Sequence, residues 1–139
     1  MILRKLYLAL YALLLYGITL VQGQSPILEV TTYSDIVTDS DNTVNATDVV
    51  VFTIKAKNIS NLALSSLTIS HTLKGINGSA LTLNSSPTFF SNSNASAAGS
   101  LAAGETGTYI ATYTFNASGV SAGGISLTVT GTASTPGNS

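Results

Sequence analysis

Residues 48–58 carry the most regular alternation of apolar and polar side chains in the chain. Every second position of this run is apolar, namely Val50, Phe52, Ile54 and Ala56, and Thr53, Lys55 and Lys57 stand between them. A period of two in β-branched and aromatic residues is typical of a strand with one buried and one solvated face. Because one strand cannot bury its apolar face alone, the run predicts a second layer of structure packed against it.

Further strands are predicted along the rest of the chain. Alternating or β-branched runs, separated by Asn, Gly, Ser and Pro, recur at residues 27–35, 67–73, 81–83, 88–90, 108–115 and 125–133. Residues 91–104 are predicted to be a loop or a loose sheet edge, and residues 116–123 a connection with a single helical turn. No long segment has helical spacing. The pattern therefore predicts an all-β fold, an Ig-like antiparallel β-sandwich of about seven strands.

Composition narrows the classes of function. The chain has 139 residues, of which 45% are hydrophobic and only 8% charged, and its polar content is mainly Ser, Thr and Asn. This length is sufficient for one domain with its own core. A sequence pI near 5.5 without basic clusters argues against nucleic acid as a partner. Because there is no Cys, disulfides and thiolate metal sites are excluded.

Residues 1–23 have the pattern of a secretion signal peptide. Arg4 and Lys5 precede an uncharged apolar run at residues 6–21, and small or apolar residues at Val21 and Gly23 predict cleavage before Gln24. The alternative is a retained membrane anchor, which the shortness of the apolar run disfavours. Residues 24–139 then form one exported domain that ends in a short linker. Its three Lys and six Asp and Glu give a net charge of −3, and no membrane contact is expected after cleavage.

Four segments also carry a resemblance to a known family, in order and spacing. They are residues 48–58, 67–73, 101–109 and 111–115. Together they resemble the Ig-like conserved repeat domain that occurs in tandem in large surface proteins and adhesins of Bacteroidetes-type bacteria. The resemblance covers residues 27–137. It implies a secreted or surface-displayed β-sandwich that acts as a spacer beside neighbouring repeat domains, and it implies no catalytic residues. His71 departs from the family, which usually has an acidic residue there.

The loop between the first two predicted strands is a candidate calcium site. It places Asp39, Asp41, Asn45 and Asp48 close together in sequence, and Ca²⁺ prefers six to eight hard oxygen ligands of this kind. The loop lacks the central Gly and the bidentate Glu of an EF-hand, so the ligand set is incomplete. The alternative is that these side chains cap turns of the backbone. Ca²⁺ is the one cofactor that the sequence suggests.

Nothing in the sequence predicts a catalytic site. His71 is the only His and shares a strand face with Leu67, Ile69 and Leu73, so it lacks metal-binding or catalytic partners. No nucleophile motif of the G-x-S-x-G type is present. The chain is therefore predicted not to be an enzyme.

Three hypotheses for function remain at this point. The first is a structural spacer module of a secreted or cell-surface bacterial protein that supports adhesion or display. The second is a pilin-like subunit that assembles with identical subunits through its sheet edges. The third is a module that binds a surface glycan or protein through its end loops, for which Tyr33 is the best-placed aromatic residue.

Overall fold

The computed structural model describes residues 27–37 and 43–135 and shows an all-β antiparallel sandwich. The predicted signal peptide lies outside the described residues. The elements of the sandwich are β1 (Leu28–Val37), β2 (Val49–Asn58), β3 (Ser65–Gly75), β4 (Ala80–Leu81), β5 (Ser85–Asn92), β6 (Thr106–Thr114), α1 (Ala117–Ser121) and β7 (Ile125–Ser134). The predicted fold class is confirmed.

Two sheets form the sandwich. The larger has the strand order β1-β2-β6-β5 and the smaller the order β4-β3-β7. The order of the larger sheet matches the A-B-E-D sheet of Ig domains, and the pairing of β3 with β7 matches strands C and F. Among the described residues no strand stands beside β7 where strand G lies in those domains.

The core lies between the sheets and is supplied mainly by β2 and β6. The alternation predicted for β2 is confirmed, because Val50, Phe52, Ile54 and Ala56 are all buried. Their neighbours on β6 are also buried: Tyr109, Ala111, Tyr113 and, just beyond the strand, Phe115. Because β2 and β6 are both central strands, each of their inward side chains is covered from both sides. Burial of this apolar surface is the main favourable contribution to folding.

The smaller sheet covers the core less completely. The inward side chains of β7, at Ile125, Leu127 and Val129, are only half-buried. On β3 only the far end, at Leu73 and Gly75, is fully buried, whereas Leu67 and Ile69 remain half-exposed. A three-stranded sheet is narrower than the four-stranded sheet opposite it, so its outer strand has cover on one side only.

Two connections were predicted from the sequence. The single helical turn is confirmed as α1, which Asn116 caps by accepting a hydrogen bond from the Gly119 N–H at 2.9 Å. Residues 91–104, predicted to be a loop or a loose sheet edge, contain both, because the edge strand β5 continues to Asn92 and the remaining residues connect it to β6. Pro87 lies inside β5 at an irregular part of its pairing with β6. Pro is tolerated there because β5 is an edge strand.

Strand β1 begins and strand β7 ends at the same end of the sandwich. Leu28 pairs with Asn58 at the end of β2, and Ser134 pairs with Ser65 at the start of β3. Residues 59–64 join β2 to β3, so both pairs lie close together. We call this end, formed by residues 58–64 and 101–105, the Asn58 pole.

Candidate functional site

The predicted calcium loop is described only in part. Asp39 and Asp41 lie outside the described residues. The Asn45 N–H donates a hydrogen bond to Asp48 Oδ2 at 2.7 Å, and the Asp48 N–H donates to the Asn45 carbonyl at 3.3 Å. The Asp48 side chain is buried, whereas Asn45 is exposed. For this pair the structure shows the turn-capping role that was the alternative to calcium binding.

Backbone contacts fasten this turn to the end of β6. The Thr47 N–H donates to the Phe115 carbonyl at 2.8 Å, and the Phe115 N–H donates to the Asp48 carbonyl at 2.8 Å. Thr47 has a φ of 87°, a left-handed conformation that a β-branched residue rarely adopts. Within residues 27–37 and 43–135 no group of three or more His, Asp or Glu side chains could hold a metal ion. Calcium binding by the whole loop stays a prediction.

His71 lies on the face that the alternation predicted. It pairs with Val129 of β7, between the pairs made by Ile69 and Leu73. Its side chain is nevertheless exposed, because the smaller sheet leaves part of this face uncovered.

The exposed aromatic residues do not form one patch. Tyr33 is 57% exposed on β1, with the Lys55 Nζ 5.4 Å from the centre of its ring. Phe90 is 71% exposed on β5. The two strands are the opposite edges of the four-stranded sheet, separated by β2 and β6. At about 4.8 Å per strand step, they are roughly 14 Å apart across the sheet.

Asn58 is the residue whose importance the sequence did not reveal. Its side chain is completely buried. Its Nδ2 donates to the carbonyls of Leu62 at 2.7 Å, Ala102 at 2.9 Å and Leu101 at 3.2 Å. Its Oδ1 accepts from the Ser60 N–H at 2.9 Å and from Ser60 Oγ at 2.8 Å. One amide thus joins the β2–β3 connection to the β5–β6 connection with its polar atoms fully satisfied.

Glu105 is the second buried polar residue of this network and binds the backbone of the β5–β6 connection. It is 2% exposed, and its carboxylate accepts hydrogen bonds from the N–H groups of Ala102 at 2.6 Å, Asn94 at 3.0 Å and Ser96 at 3.2 Å. Its backbone carbonyl accepts the Asn58 N–H at 2.9 Å. A buried carboxylate that accepts several N–H groups is stable without a cationic partner. Glu105 therefore orders the long β5–β6 connection around its own side chain.

These hydrogen bonds also determine the ionisation of Glu105. Burial raises the pKa of the carboxyl group, but the hydrogen bonds from Ser96, Ala102 and Asn94 together lower it further than burial raises it. The pKa of Glu105 therefore lies below its ordinary value. The folded protein thus stabilises the ionised form of Glu105 over the protonated form.

The opposite end of the sandwich carries an apolar groove of about 410 Å³. It opens between the end of β1, the turn before β2, α1 and the start of β7. Ile36, Val44 and Val120 line it and are 48%, 40% and 39% exposed, and Phe52 and Phe115 form part of its lining. The described residues that line this groove are mainly apolar, so it suits an apolar side chain.

Comparison with known proteins places the chain in no family. No family model, no curated protein and no solved structure matches it. Over the described part of the chain, no helix has both the length and the apolar character needed to cross a membrane.

Proposed function

We propose that this chain is a non-enzymatic structural module, a spacer in a secreted or surface-displayed bacterial protein, where it supports adhesion or display. The observation that carries the proposal is the location of the Asn58–Glu105 network. The network lies at the pole where β1 begins and β7 ends, and the Ile59 N–H donates to the Ile27 carbonyl at 3.1 Å beside it. Its polar side chains are used to fix loops where adjoining polypeptide attaches.

The surface supports the same role. The outward positions of β7 are Ser126, Thr128, Thr130 and Thr132, all exposed, and the outward positions of β6 are also mostly Thr. Such a surface is neutral and hydroxyl-rich. It hydrates well and attracts few charged partners, which suits a module whose task is to hold other domains apart.

Two alternatives from the sequence keep different degrees of support. A pilin-like subunit that assembles with identical copies has one point of support, because within the described residues no strand pairs with the outer edge of β7. A glycan- or protein-binding module is less favoured, because Tyr33 and Phe90 lie on opposite edge strands rather than in one patch.

The size and location of the native protein test the spacer role. Source cells are blotted with an antibody to residues 24–139, before and after protease treatment of intact cells. We expect a band far above the 14.2 kDa of this chain that disappears on protease treatment. A protease-resistant band at or below that mass contradicts the proposal. Filaments formed by the purified protein favour the pilin-like alternative instead.

A further inference from the structure

The part of the chain that the structure describes has four sheet edges, and three of them carry features that oppose pairing with another strand. On β1, Glu29 and Asp35 place negative charge along the strand. On β5, Pro87 and two irregularities of register interrupt the strand, and β4 has only two residues. Charges, Pro, bulges and short length are the usual devices that keep sheet edges from pairing.

The fourth edge, β7, lacks these devices over most of its length, and the one shift in its pairing with β3 falls between Thr132 and Ser134. It runs for ten residues with no charged residue and no Pro, and its pairing with β3 is continuous from Ile125 to Thr132. Within the described ranges, no segment pairs with its outer edge. In an antiparallel strand about half of the backbone N–H and C=O groups point to each side. The outer half of these groups on β7 is therefore available to a further strand.

The side chains of β7 point to the same conclusion. Ile125, Leu127 and Val129 face the core yet remain half-buried. Strand β1 covers only the far end of β7, where a Cβ added to Gly131 would lie 2.6 Å from Leu28 Cδ2 and 2.9 Å from Val30 Cγ2. A strand beside β7 would carry its own inward side chains over the remaining exposed apolar surface.

We propose that the outer edge of β7 is a strand-acceptor site. Its occupant is one extended peptide segment of about eight to ten residues that alternates apolar and polar side chains and runs antiparallel to β7. The source of this segment, the polypeptide adjoining the module, rests on the proposed spacer role. The existence of the site is independent of that role.

The direction of the segment follows from the positions at which β1 begins and β7 ends. Strand β1 begins and strand β7 ends at the Asn58 pole, whereas modules in a linear string need their connections at opposite ends. An antiparallel segment that starts beside Ser134 would run to the opposite end.

A second copy of this chain fits the edge less well. It could offer only its own β7 as an unprotected edge. Two β7 strands paired about a twofold axis would bring the two β1 strands toward each other, because β1 covers β7 in each copy. Each β1 carries Glu29 and Asp35, and like charges brought together across strands are destabilising.

The experiment extends the full chain after Ser139 by ten residues that alternate Thr and Val. The matched control carries ten residues of alternating Gly and Ser. The tether gives an effective concentration on the order of millimolar, enough to reveal a weak strand interaction. Hydrogen exchange of the β7 amides is measured in both proteins and in the unextended chain, together with the mass in solution.

We expect the β7 amides to exchange at least tenfold more slowly with the Thr-Val extension than with the Gly-Ser extension, in a monomer. Equal exchange in the two proteins overturns the proposal. Concentration-dependent dimers of the unextended chain with protected β7 amides also overturn it, because a second copy then occupies the edge. If the extended protein precipitates, the free Thr-Val peptide is titrated into the unextended chain, and β7 amide shifts that saturate support the site, whereas unchanged shifts refute it.

The result separates this inference from the proposed function. A protected β7 edge together with a native band at 14.2 kDa or below keeps the acceptor site and removes the spacer role. An unprotected edge together with a large surface protein does the reverse.

Discussion

Replacing Asn58 by Ala tests whether one buried amide holds the Asn58 pole together. The substitution removes the contacts to the carbonyls of Leu62, Leu101 and Ala102 and the two contacts from Ser60. It leaves the backbone bonds of residue 58 in place, because the N–H to Glu105 and the carbonyl to Gly104 do not involve the side chain. The perturbation is therefore confined to the side-chain network.

The expected loss of unfolding free energy follows from the number of hydrogen bonds that Asn58→Ala removes. An Asn amide has two N–H groups, so the three donated contacts represent about two full hydrogen bonds, and the accepted contacts add about two more. At roughly 1 kcal/mol per hydrogen bond, the loss is about 3–4 kcal/mol. The carbonyls are not all left unpaired, since Leu101 keeps the Leu64 N–H at 2.8 Å and Ala102 keeps the Glu105 N–H at 3.1 Å. We therefore expect about 3 kcal/mol, which corresponds to a fall in Tm of roughly 10–15 °C for a domain of this size.

Urea unfolding followed by far-UV circular dichroism and tyrosine fluorescence measures this change. Asn61→Ala is the matched control, because Asn61 is an exposed residue of the same connection and its loss is expected to cost less than about 0.5 kcal/mol. Asn58→Asp keeps the shape but sets a carboxylate against the carbonyls, so its loss of stability should be largest at neutral pH and smaller where the new carboxyl is protonated. Asn58→Ala no more destabilised than Asn61→Ala would refute the reasoning.

Three further outcomes are expected. Glu105→Gln should be destabilised most near neutral pH. The lowered pKa means that the native carboxylate stabilises the fold above the unfolded-state pKa of about 4.3 and that this contribution fades as pH falls through the folded-state pKa. Urea titrations at several pH values check this, with exposed Glu29→Gln as control, and a difference that does not change with pH contradicts it. If the predicted loop binds calcium, millimolar Ca²⁺ but not Mg²⁺ should raise the Tm, and Asp41→Asn should abolish the rise; an unchanged Tm in Ca²⁺ contradicts the calcium prediction. Gly119→Ala should cost about 1–3 kcal/mol in urea unfolding, because its Cβ would overlap the Tyr113 hydroxyl, whereas exposed Ser118→Ala should be nearly neutral; equal costs would show that α1 moves aside.

The strands that alternate most strictly were the ones predicted best from sequence. In β2 and β6 every second residue is buried, because each strand is flanked by another strand on both sides. A residue in such a strand has only two environments, the core and the sheet surface, so the pattern of side chains reports the structure directly.

The edge strand β5 was predicted less accurately, because its pairing with β6 is irregular. A strand was predicted only at residues 88–90, whereas β5 runs over Ser85–Asn92, and its Phe89 and Phe90 side chains are 39% and 71% exposed. A shift in pairing falls between Phe89 and Ser91, and a bulge breaks the strict alternation on which the prediction depends. Phe89 still contacts the core, since its ring lies 5.8 Å from that of Tyr109 in an edge-to-face arrangement.

The Asn58–Glu105 network could not be predicted because its members are distant in sequence. The local pattern around Asn58 indicates a turn, and this is correct, but its partners Leu101 and Ala102 lie more than forty residues away. Asn and Glu are also residues that sequence patterns assign to the surface. Only the register of β2 against β6, which brings Lys57 opposite Thr106, carries Asn58 to the connection that Glu105 organises.

Stability is distributed unevenly between the Asn58 pole and strand β7. A protein without disulfides must fix its loops by hydrogen bonds, and the Asn58 pole does so with two buried polar side chains whose bonds are satisfied. Strand β7, by contrast, is paired on one side and covers the core with half-buried side chains. Regions with fewer buried apolar contacts and more exposed backbone open at lower free energy. A strand added beside β7 would turn an edge strand into a central one, and it would strengthen the region of the sandwich that its own network does not reach.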